Sequence, residues 1–367
     1  TPTPSSPGQG QPTGYTFNIH QPASHRSIPT FHSHFTPTIL CSLLKSFTPA
    51  ISVSVAQYRF TVSSFHDTAL ACFSSLAMPQ AAQYKIALCQ LPVTADKHGN
   101  IARARARIEA AAAAGAELVV LPEIWSCPYA MQTMRSYAED IDGGRSPSVS
   151  MLSEVAAARK ITIVGGSIPE MVPASGQLFN TCCVVGPDGE IKAKHRKLHL
   201  FGIDIPRDIT FRESDTFTAG QEPTVVDTDV GRIGIGICHD IRFPELAMLY
   251  RSRGAHLICY PSAFNMSTGQ LLWDLMQKSR AVDNQLFVAT CSPARDPNSQ
   301  SDFVVWGNSS LIGPFGEVLA AAGHEDATVI GEIDLCLIEA VRESLPLETQ
   351  GRGDLYRLID VQRERSS

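Results

Sequence analysis

Two short turns of almost the same spelling constrain this chain more than any other feature. Gly186-Pro187-Asp188-Gly189-Glu190 and Gly313-Pro314-Phe315-Gly316-Glu317 each lie inside a stretch that reads as a β-hairpin, NTCCVVGPDGEIKAKHRKL from Asn180 and NSSLIGPFGEVLAAA from Asn308. Proline fixes φ in such a turn and glycine supplies the left-handed position that closes it. What precedes each hairpin is also alike. In the first half, residues 84–90 (YKIALCQ) read as a strand and Asn100 to Ala114 as an Ala-rich helix closed by Gly115. A buried strand at 117–121, a helix at 148–159 and a strand at 161–168 follow. In the second half the order is strand 232–238 (RIGIGIC), helix 244–253, strand 256–260, helix 271–282 and strand 286–291. This repetition predicts an α/β fold of two βαβ-containing halves, each with a sheet, packed into one domain.

The alternation begins near Gln83, and what lies before it differs. Residues 1–77 hold 23 Ser plus Thr and 8 Pro, a single acidic residue, Asp67, and as basic residues only Arg26, Lys45 and Arg59. Without hydrophobic periodicity such a segment cannot build a core. Two readings fit it. A Ser-rich, acid-poor leader suits the transit peptide of a chloroplast or mitochondrial protein, although such peptides usually carry more Arg. Alternatively Met78, the first Met of the sequence, is the natural start, residues 1–77 are not native protein, and the product is cytoplasmic. Either way the expected organisation is a leader over 1–77 and a folded domain over 78–367.

The remaining composition excludes several classes. A formal net charge of -6 argues against a nucleic-acid partner, which would want a basic patch. No apolar run approaches bilayer length. The ten cysteines include the adjacent Cys182 and Cys183 but no C-x-x-C pair, so buried free thiols are expected rather than a zinc or redox site.

Three residues stand where chemistry is placed in such folds. Cys238 ends the apolar run Ile233 to Ile237, and Pro244-Glu245 opens the next helix. The carboxyl end of a strand before a helix is where open α/β sheets bind their ligands. The glycines at 231, 234 and 236 are expected to let this strand pass close to neighbouring backbone. Leu121-Pro122-Glu123 delivers a carboxylate to the end of another apolar strand, which meets the cysteine only if the two strands lie in facing sheets. Lys197, at the end of the first hairpin, is the cation that an amide-cleaving cysteine needs for its oxyanion. Each also has an ordinary reading: a buried structural cysteine, a solvated carboxylate, and a basic loop on a wet face.

Together they resemble a known pattern. Leu-Pro-Glu at 121–123, Lys-Leu-His-Leu-Phe at 197–201 and Gly-Ile-Cys-His-Asp-Ile-Arg-Phe-Pro-Glu at 236–245 resemble, in order, the three catalytic blocks of the nitrilase superfamily, and the similarity runs from about Tyr84 to Tyr356. The resemblance implies a four-layer α-β-β-α sandwich, no cofactor or metal, and a homodimer or larger homo-oligomer. It assigns Cys238 as nucleophile, Glu123 as general base and Lys197 as cationic stabiliser. Glu213 is then a second glutamate holding the lysine, while Tyr129 and Phe264 line the substrate pocket. His239-Asp240 resembles the Tyr-Asp of the amidase branch, with His in place of Tyr. Residues 197–213 and 279–296 resemble the omega-amidase branch, which cleaves the terminal amide of 2-oxoglutaramate and 2-oxosuccinamate through a thioester. Amidases of deaminated glutathione are the near alternative, and an acyltransferase using the same thioester is one of a different class. A carboxylate-bearing substrate needs a cationic subsite, for which Arg242 and Arg295 are the candidates; for Arg242, an ion pair with Asp240 is the favoured role.

A chain beginning at Met78 is expected to fold and to keep full activity, because the leader lacks the apolar pattern to join a core. Loss of solubility or of ammonia release in that truncation would overturn the boundary, and a fluorescent reporter fused behind residues 1–77 discriminates organelle from cytoplasm.

Overall fold

Alternation along the strands decides the layers. The computed structural model describes residues 83–204, 210–296 and 303–364; the leader at 1–77 lies outside them. In β1 (Gln83–Gln90), Ile86 and Leu88 belong to one apolar cluster while Ala87 and Cys89 belong to another. β2 (Leu118–Val120) splits the same way, Leu118 and Val120 against Val119. The second cluster collects Ala104 and Ile108 of helix α1 (Lys97–Ala113) with Leu152 and Val155 of α2 (Pro147–Arg159). The first collects strand residues of a second sheet, among them Ile233, Leu257 and Val288. One face of the first sheet is therefore covered by helices and the other by a sheet.

The first sheet continues through β3 (Thr162–Val164), β4 (Ile168–Val172), β5 (Gln177–Val185) and β6 (Ile191–Arg196). After the small ribbon of β7 (Gly202–Asp204) and β8 (Thr210–Arg212), the second sheet begins with β9 (Thr224–Thr228) and β10 (Gly231–Ile235). Helix α3 (Pro244–Ser252), β11 (Leu257–Pro261), α4 (Met266–Asn284), β12 (Phe287–Cys291), β13 (Ser310–Ile312) and β14 (Val318–Ala321) follow. β15 (Ala327–Asp334) returns to the first sheet and pairs antiparallel with β1 along its whole length, before α5 (Cys336–Ser344). The sheet orders are β15-β1-β2-β3-β5-β4, with β6 on the other edge of β5, and β14-β13-β12-β11-β10-β9.

The expected halves are present. β1, β2 and β3 run parallel and β3 then pairs antiparallel with β5, whose hairpin partner is β6. β10, β11 and β12 run parallel, and the antiparallel β13 and β14 complete them. Both turns close with the same two backbone bonds, Gly186 N to Glu190 O and Gly189 N to Gly186 O, then Gly313 N to Glu317 O and Gly316 N to Gly313 O, all 2.8–2.9 Å. The result is the four-layer α-β-β-α sandwich, and among the described residues no helix is long and apolar enough to cross a membrane.

Element ends moved where capping or polar capture intervened. α1 starts at Lys97 rather than Asn100 because Asp96 accepts the Gly99 N–H, and α4 starts at Met266 rather than 271 because Asn265 accepts that of Thr268. The strand expected over 161–168 breaks at Gly165-Gly166. Gly166 has φ +64, and a Cβ there would lie 2.3 Å from the Pro122 carbonyl oxygen, so only glycine lets this turn press against the segment that carries Glu123.

Candidate active site

Glu123 is fixed by that close approach. Ser167 N donates to the Pro122 carbonyl (2.9 Å) and the Ser167 hydroxyl accepts from Ile124 N (3.0 Å). Ile124 itself has φ +49, a costly conformation for a β-branched residue. Instead of the solvated carboxylate that was the ordinary reading, Glu123 is 0% exposed.

Lys197 follows β6 directly, its N–H donating to the Asn180 carbonyl at 2.9 Å. It is 1% exposed, which removes the wet-loop reading. Its ammonium donates to Glu123 Oε1 at 3.0 Å and to Glu213 Oε1 at 2.9 Å. Glu213, also fully buried, is tied to the ribbon by exchange with Phe201, its N–H donating to the Phe201 carbonyl and its Oε2 accepting the Phe201 N–H. Tyr129 donates its hydroxyl to Glu213 Oε1. Asn180 Nδ2 donates to Glu123 Oε1 at 2.9 Å. Glu123 Oε2, by contrast, is buried with no donor nitrogen or hydroxyl on it, and the Cys238 thiol interacts with the same carboxylate.

Cys238 lies three residues past β10, in the single-turn helix Cys238–Arg242. The strand stops short of it because Asp240 Oδ2 accepts the Ile237 N–H at 2.8 Å, taking the next ladder donor. Cys238 then adopts φ +46, which turns its side chain out of the sheet into a cavity while leaving it only 7% exposed. The glycines before it face rings rather than backbone: a Cβ on Gly236 would meet Tyr260 at 2.5 Å, and one on Gly234 would meet Tyr250 at 2.7 Å. Asp240 is itself buried, bonded by His195 Nε2 (3.2 Å), the His199 ring (2.8 Å) and the His199 N–H (2.9 Å). Despite burial, the two histidine bonds hold its carboxyl well below the usual range.

The electrostatics follow from burying two carboxylates, one ammonium and one thiol together. Burial pushes the Glu123 carboxyl up; Lys197 pulls it back and Glu213 raises it again, leaving it above its ordinary value. Burial opposes the charge on Lys197, but the two carboxylates win and hold it cationic. Burial, then the Glu123 charge, raises the Cys238 thiol, so it rests protonated. His239 is pulled down to about 4 by burial and then by the Lys197 charge, so its imidazole is neutral near pH 7. It packs edge-on against Phe201 and Phe243, at 5.2 and 5.6 Å between ring centres.

Tyr129, Phe264 and Arg242 line the Cys238 cavity with Phe201, Phe303 and Leu272. The expected Arg242–Asp240 ion pair does not form: Asp240 is saturated by the two histidines and backbone, and Arg242 is exposed, with no ion pair among the described residues. Arg295 is not at the cavity; its guanidinium donates to the Val305 and Trp306 carbonyls. Asn180 and the His195–Asp240–His199 cluster escaped the sequence reading. The signal available was His195, Lys197 and His199 at spacing two, one face of an extended segment. Among the described residues no group of His, Cys, Asp and Glu is placed to hold a metal ion.

Comparisons with known proteins agree on one family. A family model described as carbon-nitrogen hydrolase matches residues 85–343. A protein of Arabidopsis thaliana named omega-amidase, chloroplastic, is 58% identical over 344 residues, 93% of this chain and 89% of its own. The human protein named omega-amidase NIT2 is 48% identical over 273 residues, 74% of this chain and 96% of its own. The crystal structure of Saccharomyces cerevisiae Nit3, a member of branch 10 of the nitrilase superfamily, matches with 41% identity and a TM-score of 0.68 over 74% of this chain and 98% of that one. That of the Caenorhabditis elegans NitFhit protein matches with 32% identity and a TM-score of 0.70, over 75% of this chain and 66% of that one.

Replacing the buried ammonium makes a sharp test. Lys197→Met keeps the volume and removes the charge, so Glu123 rises further and the folded protein binds more protons than the unfolded chain. Stability then survives below the unfolded carboxyl value of about 4.3 and is lost as pH rises through the folded one. The variant should melt far below the parent at about pH 8, with about 3–5 kcal/mol lost, and recover most of the gap near pH 5. A melting deficit equal at both pH values would overturn the network as described.

Proposed function

We infer that this chain, which belongs to the carbon-nitrogen hydrolase family, is an omega-amidase that cleaves the terminal amide of 2-oxoglutaramate and 2-oxosuccinamate to ammonia and the 2-oxo dicarboxylate. The observation that carries the chemistry is a buried thiol beside a carboxylate with one oxygen bound by Lys197 and Asn180 and the other left free. The substrate follows the names of the relatives, and Arg242 at the cavity suits its carboxylate.

In this reading Cys238 attacks the amide carbon as its proton passes to Glu123 Oε2. Because the thiol rests protonated, transfer accompanies attack rather than preceding it. The Lys197 ammonium and the backbone N–H of His239 face the oxyanion, each donor supplying about 3 kcal/mol. The C–N bond breaks as Glu123 returns the proton to nitrogen; ammonia leaves and a thioester remains. Water then adds with Glu123 as base. A carboxyl raised by burial suits a group that must both accept and donate near neutral pH. Glu213 and Tyr129 hold Lys197 in place, Phe264 forms the apolar wall, and no cofactor is required.

A substrate panel scored by ammonia release tests this. The 2-oxo amides should exceed neutral aliphatic amides by several powers of ten in kcat/KM, since a buried polar site rejects a ligand that leaves it unpaired. Nitriles should be inert and Cys238→Ala silent on every substrate. Deaminated glutathione outcompeting the 2-oxo amides would sink the omega-amidase assignment.

Leu271, Leu275 and Val282 of α4 share a face and are exposed, which supports a homodimer through that face, each leucine supplying about 1.5–3 kcal/mol if fully covered. Light scattering should give a dimer for the parent and a monomer for Leu271→Glu with Leu275→Glu; a parent that is monomeric at micromolar concentration would refute it. For the leader we favour the chloroplast: the similarity to the chloroplastic relative runs over 344 residues, more than the stretch from Met78 to Ser367 contains.

A further inference from the structure

Two cavities meet at the reacting centre, and they divide its atoms between them. The first reaches Cys238 and His239 and carries Arg242. The second, of about 130 Å³, reaches Glu123 and is bordered by Val93, Ala130, Pro293, Ala294 and Asp296. Tyr129 and Phe303 belong to both. Their rings stack with centres 4.4 Å apart and planes 14° from parallel, forming a partition. Among the described residues, Cys238 does not border the second cavity and Glu123 does not border the first.

The reaction proposed above, on which this step rests, has two reactants that arrive in turn. Once ammonia has left, the acyl chain is bonded to Cys238 and occupies the first cavity, its carboxylate toward Arg242. Water using that route must pass the chain it is to attack. The second cavity reaches Glu123 from the other side of the Tyr129–Phe303 partition. It has room for several waters, one needing roughly 10–15 Å³ by this measure, and the Glu123 carboxylate offers a hydrogen-bond partner inside. Carboxylates of Glu123 and Asp296 on its lining disfavour an anionic substrate, whereas the first cavity holds the cation. We propose that the second cavity is the water conduit of deacylation, separate from the substrate route. Water arriving there bonds through oxygen to the thioester carbon while Glu123 takes one of its protons. The C–S bond breaks, the sulfur receives that proton from Glu123, and the free acid departs through the first cavity.

Ala294→Leu and Val93→Phe each fill part of the second cavity without altering Cys238, Glu123, Lys197 or Glu213. In a two-step reaction kcat/KM reports acylation alone, whereas kcat also contains deacylation. With 2-oxoglutaramate each variant should keep kcat/KM within about twofold of the parent and lose about tenfold or more in kcat. Rapid quench should show one equivalent of ammonia per Cys238 in a burst, with the acyl-enzyme visible as added mass on the intact protein. Ala294→Ser, which keeps the space, should behave as the parent and shows that the position itself is tolerated. Parallel loss of kcat and kcat/KM would mean that substrate uses this cavity, and unchanged kcat in both variants would mean that water does not; either overturns the proposal. If the parent leaves 2-oxoglutaramate intact, the substrate assignment fails instead, and the same comparison is read on whichever amide is turned over, since water is common to all.

Discussion

One ammonium holds this site together. Lys197 lies between two fully buried carboxylates, Glu123 and Glu213, and its ammonium bonds to both. The three groups do not cancel: two carboxylates and one ammonium leave an excess of negative charge in a buried environment. Burial raises Glu123, Lys197 opposes that rise and the second carboxylate adds to it, while Glu213 itself is anchored by Tyr129 and by Phe201. Burial, together with an imbalance of charge that costs stability, thus gives Glu123 the proton affinity that its proposed role as base requires. Burial, and then the Glu123 charge, suppresses ionisation of the neighbouring thiol and keeps Cys238 protonated at rest.

A second buried carboxylate holds Cys238 in place as Lys197 holds Glu123. Asp240 binds Ile237 N on one side of Cys238 and the two histidines on the other. His195 and His199 flank Lys197 in sequence, so the end of the first hairpin and the turn bearing Cys238 are fastened to one another through Asp240. Lysine and cysteine come from different sheets, and this clamp sets their relative position with buried hydrogen bonds to a charged acceptor, the stronger kind. The left-handed backbone at Cys238 and Ile124 shows the cost of presenting both side chains: strain of about 1–3 kcal/mol at each, borne by the packed strands behind them.

Legibility in the sequence followed the range of the interactions. Glu123 and Cys238 are legible because each follows an apolar run, and strand ends are where side chains leave the core; Lys197 follows the basic run of β6 and is legible through its place at the end of the hairpin and its Lys-Leu-His-Leu-Phe block. The hairpins were readable because glycine and proline fix turns locally. Asn180 was not, since a polar residue inside a strand declares its partner only once the sheets face each other. β15 was missed because its partner β1 is more than two hundred residues away. Arg242 was misread through sequence proximity to Asp240. Side chains two apart in a tight helical turn do not face one another, so the histidines, distant in sequence, took the carboxylate and left the arginine at the cavity.

The repeated architecture shows how a single site arises from two similar halves. Glu123 stands three residues past β2, and the corresponding position past β11 is Phe264. Cys238 stands three past β10, and the corresponding position past β1 is Val93. Lys197 follows β6 with its N–H on the Asn180 carbonyl; Ala322 follows β14 with its N–H on that of Ser309. At the lysine pair the backbone bond is the same, whereas Cys238 has φ +46 and Val93 is not among the left-handed residues; at each pair one half carries a charged or thiol side chain while the other carries an apolar group. Two of those apolar counterparts are not idle: Phe264 walls the cavity that reaches Cys238, and Val93 borders the one that reaches Glu123. Facing sheets bring all these strand ends to one place, so a reactive set from one half and a wall from the other assemble without any element leaving its layer. A symmetric arrangement would bury two ammonium–carboxylate sets at several kcal/mol of desolvation per ion; the observed one buries a single set and spends the equivalent positions on shape.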